Sequence, residues 1–126
     1  YILGIISDGL SIITNNFSDR FGLNYSIAHQ AEIVNNRLTG EVRLVRRNSN
    51  YLLWKKEILK EFRDRYRTRI YAVGNGDLDA PMLRASDLGI AFNATAKAKR
   101  SANFVVNTKD MKEIARIIHS WDKKWK

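Results

Sequence analysis

The sequence predicts an α/β fold with parallel strands, on three observations. Short apolar runs rich in Ile, Val and Leu alternate with segments whose apolar residues recur at helical spacing. The runs are too short to be helices and read as buried strands. Two run-to-helix junctions, Ser7-Asp8-Gly9 and Gly74-Asn75-Gly76-Asp77, are small and polar, as tight strand-to-helix turns require.

The elements follow in order. Residues 2–6 predict a strand that Ser7-Asp8-Gly9 breaks. Leu10, Ile13, Phe17 and Phe21 then mark one face of a helix, with Gly22 as a left-handed stop. Residues 25–45 alternate, and Asn35-Asn36 between Glu32-Ile33-Val34 and Leu38–Val42 predicts a small hairpin. Tyr51, Trp54, Ile58 and Phe62 mark one face of the next helix. Residues 70–73 form a second strand, and Asp79 is a candidate N-cap before Pro81 and the apolar Met82 and Leu83. Strands follow at 88–92 and 104–106. Asp110 with Glu113 predicts a capping box for a last helix whose apolar face is Met111, Ile114, Ile118 and Trp121.

Composition bounds the function. With 126 residues, 44% of them hydrophobic, the chain suits a single compact domain over 1–126 and excludes long disorder. The absence of cysteine excludes disulfides, thiolate metal sites and a cysteine nucleophile. No apolar run approaches the ~20 residues that cross a bilayer, and no signal sequence is present, so a soluble, cytoplasmic protein is expected. Tyr1 leads straight into the apolar run, as though the chain were cut within or just before a strand. The net charge of +9 attracts polyanions and steers phosphorylated ligands. It is scattered and carries no nucleic-acid motif, which disfavours nucleic acid as the partner.

In open parallel sheets ligands collect beyond the carboxyl ends of the strands. That rule selects Ser7-Asp8-Gly9, a hydroxyl followed by a turn that can offer backbone donors to an anion. It also selects residues 74–79, where oxygen ligands cluster as a hard cation such as Mg²⁺ prefers. Phosphate chemistry is common to both. His29 and His119 lack partners at metal-ligand spacing and read as strand-end and helix-surface residues. Lys97, Lys99 and Arg100 form a basic loop on the anion-binding side, and Trp121, Lys123, Lys124 and Trp125 extend the last helix amphipathically.

Ile5-Ile6-Ser7-Asp8-Gly9, then Leu38-Thr39-Gly40, then Val73–Leu83, then Leu88-Gly89-Ile90-Ala91-Phe92 occur in one order. Together they resemble the phosphoserine phosphatases of the haloacid dehalogenase superfamily, over residues 2 to about 118. The resemblance implies a Rossmann-like parallel sheet with flanking helices and a Mg²⁺-dependent phosphomonoester hydrolase acting on a small phosphorylated metabolite. It implies that Ser7 hydrogen-bonds the transferring phosphoryl group, where a helix N-cap is the plainer reading. Lys55 would offset charge on the phosphoryl oxygens, where a solvated helix-face lysine is the plainer reading. Asp8 and Gly9 would complete the phosphate-binding turn. Asn75, Asp77 and Asp79 would face the metal, with a turn-forming Asp77 and an N-cap Asp79 as their structural alternatives.

The chain departs from the family at several of these positions. Asn75 replaces the first metal-binding acid, Leu78 an asparagine, Asp77 an alanine, and Asp8 a glycine. The Asp-x-Asp nucleophile motif that forms the family's aspartyl phosphate is absent from these residues. The chain therefore corresponds to a partial core lacking the nucleophile strand and the substrate-selecting cap, to be completed by an N-terminal segment or a second chain. In the family the nucleophile strand lies between the strands corresponding to 2–6 and 70–73, so these two are expected not to pair. A catalytically degenerate binding or regulatory module and a basic nucleic-acid-associated domain are the alternative functions.

Overall fold

The computed structural model describes residues 1–45 and 50–126. The chain divides into two compact units, Tyr1–Ser49 and Asn50–Lys126. The described strands pair in two three-stranded sheets, β1-β2-β3 and β4-β5-β6.

In the first unit β1 (Gly4–Leu10) runs parallel to β2 (Tyr25–Val34), which pairs antiparallel with β3 (Arg37–Arg43). The strand predicted at 2–6 continues through Ser7-Asp8-Gly9, which is therefore not a turn between strand and helix. Ile6 faces Ile27 and Leu10 faces His29, so four steps of β1 span two of β2 and the Ser7–Gly9 stretch bulges from the ladder. The cause is local: Ser7 Oγ accepts the Gly9 N–H at 2.9 Å, taking a donor the ladder would otherwise use. Leu10 re-enters in extended geometry and α1 (Ser11–Phe21) starts at the next residue.

Gly22, at φ +64°, ends α1 as expected. The predicted apolar face does not pack on this unit's sheet: Ile13, Phe17 and Phe21 are 56%, 50% and 61% exposed. The buried position is Thr14, whose Oγ1 accepts from Ser26 Oγ at 2.8 Å. Thr14 shares a helical face with Phe17 and Phe21, so this contact ties that face to β2 through a small side chain while the larger apolar ones stay exposed. The hairpin forms where expected, with Asn35 and Asn36 both left-handed at φ 51° and 60°, the two-residue turn whose twist matches its strands.

The second unit runs α2 (Trp54–Tyr66), β4 (Tyr71–Gly74), a single 3₁₀ turn at Asp77–Asp79, α3 (Ala80–Ala85), β5 (Leu88–Phe92), α4 (Ala96–Ser101), β6 (Phe104–Val106) and α5 (Lys112–Lys123). Its strands are all parallel. Central β5 is buried, and Leu88 and Ile90 join Val106 and Ile114 in a core flanked by Tyr71, Phe92, Ile117, Ile118 and Trp121. Gly89 allows α3 to press on this strand, because a Cβ there would lie 2.5 Å from the Leu83 carbonyl oxygen. Trp54 and Ile58 are buried on α2 as expected, while Tyr51 lies in the preceding turn.

Two sequence expectations are corrected in this unit. The basic stretch at 97–100 is helical, because Thr95 caps it: Thr95 Oγ1 accepts the Ala98 N–H and three alanines follow within the next seven residues. The capping box of α5 is half made. Asp110 Oδ1 accepts the Lys112 N–H at 2.9 Å, but Glu113 turns to Arg116 Nη1, also at 2.9 Å, and Met111 is 65% exposed rather than part of the core.

Candidate phosphate site

Parallel β4 delivers the chain to Gly74, and the loop that follows is organised by one carboxylate. Asp79 folds back over the loop: its Oδ2 accepts the N–H groups of Asn75 at 2.9 Å and Gly76 at 3.0 Å, and its Oδ1 accepts Lys55 Nζ at 2.6 Å. Gly74 is required beneath it, since a Cβ would come within 2.6 Å of the Asp79 Cβ. Burial raises the Asp79 carboxyl pKa, but the Lys55 ammonium and the Gly76 and Asn75 N–H groups outweigh it, so the group titrates below the usual carboxylate range. Asp79 is thus the fastening of the loop, and its side chain does not cap α3.

Lys55 is 7% exposed, which sets aside the reading of a solvated helix-face lysine. Its position early in α2 directs the ammonium to Asp79, 24 residues away in sequence. Asp77 is exposed, and its Oδ1 accepts the Thr95 hydroxyl at 2.6 Å. The Thr95 N–H donates to the Asn75 carbonyl at 2.9 Å, so Thr95 ties the loop after β5 to the loop after β4. Thr95 was not singled out in the sequence, although it lies just beyond a strand's carboxyl end, where the strand-end rule looks for ligands.

In the first unit Ser7, Asp8 and Gly9 share the bulge of β1. Ser7 Oγ accepts from Gly9, which leaves its own O–H to be donated elsewhere. Asp8 Oδ1 lies 4.0 Å from His29 Nε2. His29, expected at a strand end, is buried within β2, and its Nδ1 accepts the Val45 N–H at 3.2 Å. Its position opposite Leu10 follows from the bulge, which the sequence does not show. Ser7 belongs to the first unit and Lys55 with the Gly74–Asp79 loop to the second.

The hard oxygen donors of this loop suit Mg²⁺ in kind. They are too few in number to hold it alone. Among the described residues no three His, Cys, Asp or Glu side chains gather as a metal site. Asp79 already accepts three donors, so Asp77 and the neutral Asn75 amide are what the loop offers a cation. The remaining ligands would be water or groups outside the described residues.

Comparison with known proteins finds relatives of the chain. A family profile for haloacid dehalogenase-like hydrolases matches residues 55–118. The chain is 33% identical over 112 residues to a phosphoserine phosphatase of Streptomyces coelicolor, covering 85% of this chain and 26% of that protein. It is 28% identical over 123 residues to a phosphoserine phosphatase of Methanocaldococcus jannaschii, covering 94% of this chain and 56% of that protein. A solved phosphoserine phosphatase described as a phospho-aspartyl intermediate analogue superposes with a TM-score of 0.80 at 28% identity, over 93% of this chain and 56% of that one. The chain thus spans about half, or less, of the length of these relatives.

Proposed function

The chain belongs to the haloacid dehalogenase-like hydrolases, and from that premise we propose that it contributes the phosphate-binding part of a phosphomonoester hydrolase of the phosphoserine phosphatase type. The observation that carries this reading is the buried Lys55–Asp79 pair at the carboxyl end of a parallel strand. It holds a cation and the N–H groups of a tight loop in a fixed arrangement, as electrostatic stabilisation of a phosphoryl group requires.

Three roles follow for the chain's own residues. Ser7, with its oxygen accepting from Gly9, donates its hydroxyl hydrogen to a phosphoryl oxygen. Lys55, oriented by Asp79, offsets charge accumulating on the other phosphoryl oxygens. Asp8, lying beside His29, leaves the Ser7 hydroxyl and the backbone of the bulge to meet the phosphate. Asp77 and Asn75 would help hold a Mg²⁺ ion, which when bound supplies further positive charge to the phosphoryl oxygens.

The nucleophile is proposed to come from a further polypeptide segment, upstream or on a second chain, which also completes the sheet. Two features support this. Among the described residues β1 and β4 each end their sheet as edge strands, and natural proteins seldom leave such edges bare. The exposed Ile13, Phe17 and Phe21 stripe on α1 supplies an apolar face for the same segment.

The test is release of inorganic phosphate from phosphoserine and from a generic aryl phosphate, with Mg²⁺, by the protein joined to its upstream segment. Ser7→Ala and Lys55→Met should each reduce kcat/KM by about 100-fold or more, in line with loss of one preorganised donor. Turnover unaffected by both substitutions would overturn the assignment. Phosphate binding without turnover would favour a degenerate binding module, a reading supported by the neutral Asn75.

A further inference from the structure

A concavity lies in the Asn50–Lys126 unit, between α2, α3 and α4. Its volume is about 330 Å³, at the small end of the range for sites that take small molecules and far below what a protein partner occupies. Part of its lining is apolar, from Leu53, Ala80 and Pro81, and three cations, Lys56, Arg84 and Lys97, line it as well. Each sits on a different helix. Among the described residues no carboxylate pairs with any of the three. Arg84 has one side-chain contact, Nη2 donating to Ser101 Oγ at 3.2 Å, which keeps the guanidinium at the groove and leaves most of its donors unused.

Three like charges brought from three helices to one concavity repel one another, and a compact anion removes that repulsion. The apolar lining adds a second requirement, since inorganic phosphate or sulfate has nothing to place against Leu53 and Pro81. We propose that this groove binds a small organic dianion, a molecule with an apolar ring or chain carrying two carboxylate or phosphate groups. The site is separate from the phosphate loop but adjoins it. Lys56 and Ala80 directly follow Lys55 and Asp79, so a ligand here presses on α2, which carries Lys55, and on the start of α3, which follows Asp79. That places it where a metabolite could regulate the neighbouring loop.

Binding in the groove needs neither metal nor nucleophile, so its test is independent of the proposed activity. The probe is benzene-1,2-dicarboxylate, added to isotope-labelled protein and followed through the backbone amide signals, with benzamide as the neutral control. The expected result is saturable movement of the Lys56, Arg84 and Lys97 amides with a Kd of roughly a millimolar or below. Arg84→Gln and Lys97→Gln should each weaken it about tenfold, as expected for one charge-assisted hydrogen bond. Lys97 is exposed and among the described residues its ammonium has no hydrogen bond or ion pair, so its substitution should leave the fold, and hence the spectrum elsewhere, unchanged. The proposal is overturned if benzamide moves the same signals equally, if the shifts are absent or spread over lysines and arginines at large, or if both substitutions leave the Kd unaltered.

Discussion

Lys55→Met removes the ammonium but keeps most of the aliphatic stem, which isolates the charge from the packing. Both partners are buried, with side chains 8% and 11% exposed, so the pair is poorly screened. Removing one partner of such a pair typically costs about 3–5 kcal/mol, because the other charge is left uncompensated. Asp79 would keep the Asn75 and Gly76 N–H groups, which places the expected loss at the low end, about 3 kcal/mol. Urea unfolding monitored by tryptophan fluorescence reads this directly, Trp54 being adjacent in α2. With Asp79→Asn and the double variant the measurement becomes a cycle, and the expected coupling is about 2 kcal/mol. The pH dependence supplies a second arm. Because the folded pKa of Asp79 is depressed, its contribution is present above the ordinary carboxylate pKa and is lost as pH falls through the lowered folded value. Stability of the parent should therefore drop below about pH 4 more steeply than that of Lys55→Met. A coupling below about 0.5 kcal/mol, the value of a solvent-screened surface pair, would refute the account of the loop as fastened by this interaction.

Three further outcomes are expected. Gly89→Ala should destabilise the Asn50–Lys126 unit by about 2 kcal/mol or more, since the added Cβ meets the Leu83 carbonyl at 2.5 Å; chemical denaturation measures it. Asn36→Gly should stabilise the β2–β3 hairpin by about 0.5 kcal/mol by relieving a left-handed asparagine at φ 60°, read as a higher urea midpoint for the first unit. Burial, with help from Asp122, raises the Tyr71 pKa above the ordinary tyrosine value, so its contribution is intact at neutral pH and is lost as pH rises into and through the raised folded value. Tyr71→Phe should cost about 1 kcal/mol at neutral pH and soften alkaline unfolding, followed by circular dichroism across pH 9–12.

The elements of the second unit were legible because each strand is bounded by its own punctuation. Gly74 closes β4, Pro81 opens α3, and the unbroken apolar run 88–92 matches the fully buried central strand. The first unit was less legible at two points. Ser7-Asp8-Gly9 carries turn chemistry, yet one side-chain-to-backbone hydrogen bond keeps it within the strand as a bulge. The apolar spacing of α1 marked its helix but not the exposure of Ile13, Phe17 and Phe21, because periodicity identifies a stripe but not what covers it. Helix α4 was read as a loop since six residues are too few for periodicity to register, and only the Thr95 cap marks its start.

The site was legible as a set of residue types and not as a set of contacts. Nothing local ties Lys55 to Asp79; their meeting depends on α2 lying beside the end of β4, a tertiary fact. That meeting changes how the Asn75 departure should be understood. With an acid at 75 the loop would hold three carboxylates against one lysine, a field suited to a divalent cation. With Asn75 it holds two, and Lys55 neutralises the buried one, leaving Asp77 at the surface with Thr95 on one of its oxygens. The local charge is therefore close to −1 rather than −2, which weakens metal capture but lowers the repulsion felt by an arriving phosphate dianion. The substitution and the ion pair thus act in the same direction, toward a loop with less negative charge whose Asn75 and Gly76 N–H groups and Lys55 ammonium are all gathered on Asp79.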